Sequence, residues 1–311
     1  MIKCKNQNIY VIMYHYVREI KKSKYPNLKG LEFKEFKNQI SYFKSNFNIL
    51  NNEDFLEILD SKKIPKKKSI LLTFDDGYKD HYEYVFPHLS KKKISGIFYP
   101  PVKTIKNSEV LDVNKIHFIM EKNKNSKALL NLIYDLVKKY DKKFNPINFK
   151  KMQLSSRYDN KEKILIKSLL QYLLPKKIRK KILDQTFERM LDVNETDFAK
   201  QLYINSDNII EMNKNKMHFG SHGYNHLWWG HLNKNEQYNE INKSIKFFKK
   251  INVYNENFSL CYPYGSYNST TIKLMKHFKI SFALTTEVNS INQENISNLY
   301  NLPRYDTNDF K

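Results

Sequence analysis

The stretch 70-ILLTFDDGYKDHY-82 places two carboxylates, Asp75 and Asp76, directly after an apolar run and directly before a glycine. A short run rich in branched and aromatic side chains, ended by a glycine, reads as a buried strand followed by a turn. Like charges side by side at the end of such a strand cost free energy, so something must offset their repulsion. In parallel α/β folds, the C-terminal ends of strands are where catalytic side chains gather.

The same pattern recurs on either side. The segments 9-IYVIM-13, 96-GIFY-99, 217-MHFGSH-222, 259-SLCY-262 and 280-ISFAL-284 read as further strands. Between them lie helical patterns. Phe36, Ile40, Phe43 and Phe47 recur at helical spacing, and residues 52–59 continue as a short helix. Residues 80–90 set Tyr82, Phe86 and Leu89 on one side, and a helix is expected over 270–278. Residues 233–250 form an amphipathic helix with Tyr238, Ile241, Ile245 and Phe248 expected on its buried face. Strand and helix in alternation argue for parallel strands joined by helical crossovers. The pattern breaks over 110–200, where helices follow one another at 126–140, 161–174 and 176–191. The expected fold is therefore α/β: a distorted (β/α) barrel formed by 1–109 and 201–311, with 110–200 as a helical insertion.

Composition bounds the function. The 311 residues are 41% hydrophobic and 14% aromatic, enough for a sizeable core. The formal net charge is +22, which suits a solvated basic surface or contact with an anionic membrane or an anionic carrier. No helix-turn-helix, zinc-finger or RNP-like motif accompanies that charge, so nucleic acid is not expected. Two cysteines, Cys4 and Cys261, give neither a disulfide framework nor a CxxC metal site. No apolar run reaches the ~18 residues of a membrane span. The N-terminal apolar run is too short for a signal peptide, so with Met1 as the start the expected location is cytoplasmic.

The chemistry-bearing residues are few. In 221-SHGYNHLWWGH-231, His222 and His226 lie four apart, and a helical or tight turn would aim both imidazoles at one point. Two histidines plus one carboxylate, with a position left open for water, is the composition of a catalytic zinc-type site. Asp75 or Asp76 supplies the carboxylate. One of the pair then serves the metal and the other a base, and the cation relieves their repulsion. Trp228 and Trp229 follow directly, and their faces suit a sugar ring or a core.

Three segments taken together, 73-TFDDGYKD-80, 221-SHGYNH-226 and 261-CYPYGSYN-268, resemble the polysaccharide deacetylases of the NodB-homology type, carbohydrate esterase family 4. The pieces 12-IMYHYV-17 and 302-LPRYDTND-309 resemble the branch in which the motifs are circularly permuted. The resemblance implies that Asp76, His222 and His226 bind a divalent metal, usually zinc, and that Asp75 is the general base. It implies a general acid at His15, with His277 as the alternative from the late part of the chain, and Arg304 beside Asp75. Tyr262, Pro263, Tyr264 and Gly265 would line the substrate groove together with Trp228, with the Tyr264 N–H on the oxyanion. The implied reaction removes an N-acetyl group from an amino sugar, with a lipid- or nucleotide-linked intermediate of surface-glycan assembly as the expected substrate. A deformylase and a non-catalytic glycan binder are the alternatives. The chain departs from the family pattern at Gly223, where serine or threonine is usual, and carries Ser221 before the histidine instead. Arg157 in the helical region is a further candidate for the site. His81, His88, His117, His218 and His231 read as structural or surface residues.

Overall fold

The computed structural model describes residues 7–145 and 159–310, so Cys4 and Arg157 lie outside the described residues. The described residues form two compact units, one made of residues 7–20, 30–108 and 200–310, the other of 21–29, 109–145 and 159–199.

The first unit is built on parallel strands: β1 (Ile9–Tyr14), β2 (Ser69–Asp75), β3 (Ile97–Tyr99), β4 (His218–Phe219), β5 (Leu260–Cys261), β6 (Ala283–Leu284) and β7 (Tyr305–Asp306). Every residue of β1 and β2 is buried, as expected for parallel strands covered on both faces. The main sheet runs β7-β1-β2-β3-β4, and a two-residue strand, Asn48–Ile49, pairs with the start of β2. A parallel bridge from Ser221 to Leu260 continues the sheet from β4 to β5, β5 pairs with β6, and a bridge from Leu284 to Leu302 leads back towards β7. Since β7 pairs with β1, the strands close on themselves. The fold is α/β, a distorted (β/α) barrel.

The pleat of β2 decides what faces where. Alternate side chains point to opposite faces, so Leu71, Thr73 and Asp75 share one side and Ile70, Leu72 and Phe74 the other. Ile70, Leu72 and Phe74 join Tyr10, Ile12 and Tyr14 in a cluster with Phe36, Ile40 and Phe43 of the helix Phe33–Asn46 and Ile241, Ile245 and Phe248 of the helix Lys234–Lys250. Leu71 joins Ile9, Val11, Ile97, Cys261, Leu284 and Leu302, with Phe55 and Leu59 of the helix Asn52–Ser61. Asp75 thus stands on the strand face that turns towards this second, inner cluster, and only 1% of it is exposed.

The helix Lys234–Lys250 corrects one expectation. Ile241, Ile245 and Phe248 are buried, but Tyr238 is 37% exposed and packs on His277 and Phe278. Gln237, Glu240 and Ser244 take the buried stripe instead. An apolar period identifies a face, but it does not register polar side chains that are buried because they bond to something.

The second unit packs the helices Asp112–Lys122, Ser126–Tyr140, Lys161–Ser168 and Lys176–Leu191 around Ile116, Ile119, Ile133, Ile166, Leu169, Leu183 and Phe187. Residues 21–29 belong here and not to the barrel unit; Tyr25 packs edge-on against Phe118 at 4.7 Å. Lys115 is buried and bonds both Asp184 and Glu195, the latter at 2.7 Å. No helix among the described residues is long and apolar enough to cross a membrane.

Candidate active site

Asp75 ends β2, and the chain turns sharply after it. Asp76 adopts φ 71° and Gly77 φ 66°. Aspartate tolerates the left-handed region, but a Cβ at position 77 would stand 2.5 Å from the Pro100 Cβ, so the turn needs glycine there. The turn swings Asp76 off the strand line. Tyr78 donates to its Oδ2 at 2.6 Å, while Oδ1 is buried with no hydrogen-bond partner among the described residues.

That orphaned oxygen faces two imidazoles. His226 Nε2 lies 3.3 Å from Asp76 Oδ1 and His222 Nε2 lies 3.7 Å from it. The expected helix or tight turn is an irregular loop in which Gly223 and His226 both have positive φ. His222 Nδ1 lies 2.8 Å from the Cys261 carbonyl. Its N–H donates there, which leaves the Nε2 lone pair directed at Asp76. Burial pushes the pKa of His222 down and that of His226 down to about 3, so both rings are neutral near pH 7. Burial raises the Asp76 carboxyl, but His226, His15 and His222 outweigh it and the net direction is down. One ligand atom from each of Asp76, His222 and His226 lies within 4.8 Å of the others. A buried, unpartnered carboxylate oxygen between two neutral imidazoles is a donor set that fits a divalent cation.

Asp75 is neutralised from the far end of the chain. Arg304 donates to its Oδ1 at 3.0 Å and to its Oδ2 at 2.7 Å. The guanidinium is itself fixed by the Thr285 carbonyl at 2.8 Å and by Thr73 Oγ1 at 3.2 Å. Burial raises the Asp75 pKa, but Arg304 and His222 bring it well below the usual carboxylate range. Cys261 Sγ lies 2.9 Å from Arg304 and 3.5 Å from Asp75 Oδ2, a third group on this pair that the sequence did not suggest. Like charges at 75 and 76 are thus treated differently: Arg304 offsets the first, while the second has the Tyr78 hydroxyl on Oδ2 and turns Oδ1 to the two neutral imidazoles.

His15, half-buried after β1, acts electrostatically on Asp75, Asp76 and His226. His277 is exposed at the end of the helix Ser269–His277, beside Tyr238. His81, read as structural, does something specific. It is fully buried in a π-helical turn, and its Nε2 lies 2.8 Å from the His15 carbonyl. Its ring also meets those of Phe74 and Phe98, edge-on or tilted, and nothing in the sequence pattern singles it out.

The aromatic residues divide. Trp228 stacks on Tyr264 with centroids 4.3 Å apart and planes at 6°, and Tyr264 meets His226 at 4.7 Å. Tyr264 and Gly265 are partly exposed. Pro263 is buried. Tyr262 is 0% exposed and donates to the Tyr300 carbonyl at 2.8 Å, so its side chain belongs to the core and not to a groove. Trp229 is also fully buried.

The family described as Polysaccharide deacetylase matches residues 62–143 and 180–283, more than half of the chain. No curated protein matches at a significant level. Among solved structures, the deacetylase PplD of Streptococcus pyogenes in complex with acetate superposes with a TM-score of 0.59 at 17% identity, covering 97% of this chain and 93% of that one. IcaB from Ammonifex degensii gives 0.55 at 15%, covering 96% and 91%. A de-N-acetylase from Aggregatibacter actinomycetemcomitans gives 0.55 at 15%, covering 96% and 94%. At these identities the likeness is one of fold.

Proposed function

The chain belongs to the polysaccharide deacetylase family, and on that premise we propose that it is a metal-dependent hydrolase that removes an N-acetyl group from an amino sugar. The observation that carries the proposal is the unpartnered Asp76 Oδ1 facing both histidine Nε2 atoms, with Asp75 on the adjacent residue. Asp76, His222 and His226 are the ligands, and zinc is the ion this set suits best. A divalent cation held there supplies Lewis-acid polarisation of the acyl carbonyl and lowers the pKa of water towards about 7.

The chain's own residues do the rest. Asp75, kept ionised by Arg304, accepts the proton of the attacking water at its carboxylate. The Tyr264 backbone N–H stabilises the oxygen that gains charge on the former carbonyl. His15 delivers a proton to the departing nitrogen, because C–N cleavage without it would expel an amide anion. The stacked Trp228–Tyr264 pair forms the aromatic wall against which the sugar lies. The products are a free amino sugar and acetate, the ligand in the PplD structure. The basic chain, at +22, suits a phosphate-bearing lipid or nucleotide carrier. We place the substrate among such intermediates of surface-glycan assembly, with approach to an anionic membrane as a further consequence of the charge.

The test is to incubate the zinc-loaded protein with N-acetylated amino-sugar oligomers and to quantify acetate and free amine together. Equimolar release is expected, with Asp75→Asn lowering kcat about 10²- to 10⁴-fold. Wild-type kcat in that variant would contradict the assignment of the base. Formate from an N-formyl sugar with no acetate from its N-acetyl analogue would identify a deformylase, and binding without turnover a non-catalytic relative.

A further inference from the structure

The loop that carries both imidazoles has no regular structure of its own. Between His222 and His226 the backbone N–H groups are taken up by side chains. Gly223 donates to Ser221 Oγ at 3.0 Å, and Tyr224 and Asn225 donate to Glu240 Oε2 at 3.0 and 2.7 Å. The Asn225 amide adds a third bond, to Glu240 Oε1 at 2.6 Å. Glu240 is 4% exposed and sits mid-way along the helix Lys234–Lys250. A carboxylate that accepts three N–H bonds in a buried place is a strong, directional anchor. The same group shapes the loop sterically. A Cβ at position 223 would lie 3.2 Å from Glu240 Oε2 and 3.2 Å from Trp229 Cζ2, and Gly223 has φ 77°.

We infer that Glu240 is a positioning residue for the metal site. It fixes the peptide units between the two histidines, and so sets where both Nε2 atoms point. The inference rests on the reading of Asp76, His222 and His226 as ligands. Each of the three bonds to the Glu240 carboxylate comes from the segment between two ligands, so its loss alters metal affinity more than it alters the fold. Gly223 belongs to the same device, because the space beside it is filled by the Glu240 carboxylate and the Trp229 ring.

The experiment is titration of zinc into metal-free protein in competition with a chromophoric chelator, for wild type, Glu240→Ala, Glu240→Leu and Glu240→Gln. Urea unfolding of each metal-free protein is measured in parallel. Glu240→Ala is expected to weaken zinc binding about 10- to 100-fold, the usual range for groups that orient ligands. Glu240→Gln keeps an oxygen for both backbone N–H groups, and the Asn225 amide turns its Oδ1 to the new NH2, so zinc binding stays within about threefold of wild type. Glu240→Leu fills the same space with no acceptor and weakens binding as Glu240→Ala does. If Glu240→Ala does not fold, the comparison of Leu with Gln carries the test alone. Zinc affinity within about twofold of wild type in Glu240→Leu, or a loss in Glu240→Gln as large as in Glu240→Leu, overturns the inference. A purely structural role would lower urea stability and leave affinity unchanged. A wild-type protein that binds no zinc overturns the ligand assignment itself, which separates that failure from this one.

Discussion

Asp75 shows how a single buried charge is made tolerable and useful. Its carboxylate would be too costly on the inner face of the barrel without a partner, and Arg304 meets it with two parallel N–H bonds. Removing one member of such a pair strands the other, at a typical cost of about 3–5 kcal/mol. Arg304→Ala is therefore expected to lower the urea-unfolding free energy by about that amount, and Arg304→Lys to recover it only in part, because an ammonium cannot supply the planar fork. A change below ~1 kcal/mol, the scale of an exposed pair, would show that the bridge carries little stability. At this scale the sequence is readable where chemistry constrains residue type. The paired aspartates and the H-x3-H spacing stand out because few other roles require them. Glu240 and His81 do not stand out, since a glutamate in a basic helix and a histidine among aromatics look like ordinary surface and packing. Tyr262 misleads for the converse reason: a motif position does not tell which side of the backbone its ring takes, and here the ring is in the core.

Among the elements, the long buried strands are the easiest to read. β1 and β2 appear as unbroken apolar runs because both faces are covered. The short strands are harder. Residues 280–284 read as a strand, but only Ala283–Leu284 pairs regularly, since that part of the ring is closed through single bridges. The helix Lys234–Lys250 is marked by its period, yet its buried stripe includes Gln237 and Glu240 where Tyr238 is expected. In the helical unit the buried cation Lys115 plays the part that Arg304 plays in the barrel. It bonds Asp184 and Glu195 from the interior and lies 5.7 Å from the Phe187 ring. Lys115→Ala leaves two carboxylates without their shared partner. It is expected to destabilise the protein by about 3 kcal/mol in thermal or urea unfolding, while zinc affinity stays at the wild-type value. An unfolding midpoint identical to wild type would contradict this reading of Lys115.

For the molecule as a whole, ring closure brings together residues from the two ends of the sequence. β1 pairs with both β2 and β7, so His15, Asp75 and Arg304, spread over almost the entire chain, lie at one end of the barrel beside the His222–His226 loop. Alternating periods indicate the (β/α) architecture, but no local pattern states which strands neighbour which, and only the order of several motifs together points to this meeting. The proposed function requires that Asp76, His222 and His226 hold one divalent cation. The most direct measurement is the zinc content of purified, dialysed protein by elemental analysis, for wild type and for Asp76→Ala, with circular dichroism to verify folding. One zinc per wild-type chain is expected, with a loss of nearly all of it in a folded Asp76→Ala. A folded Asp76→Ala that retains the full wild-type zinc content would contradict it.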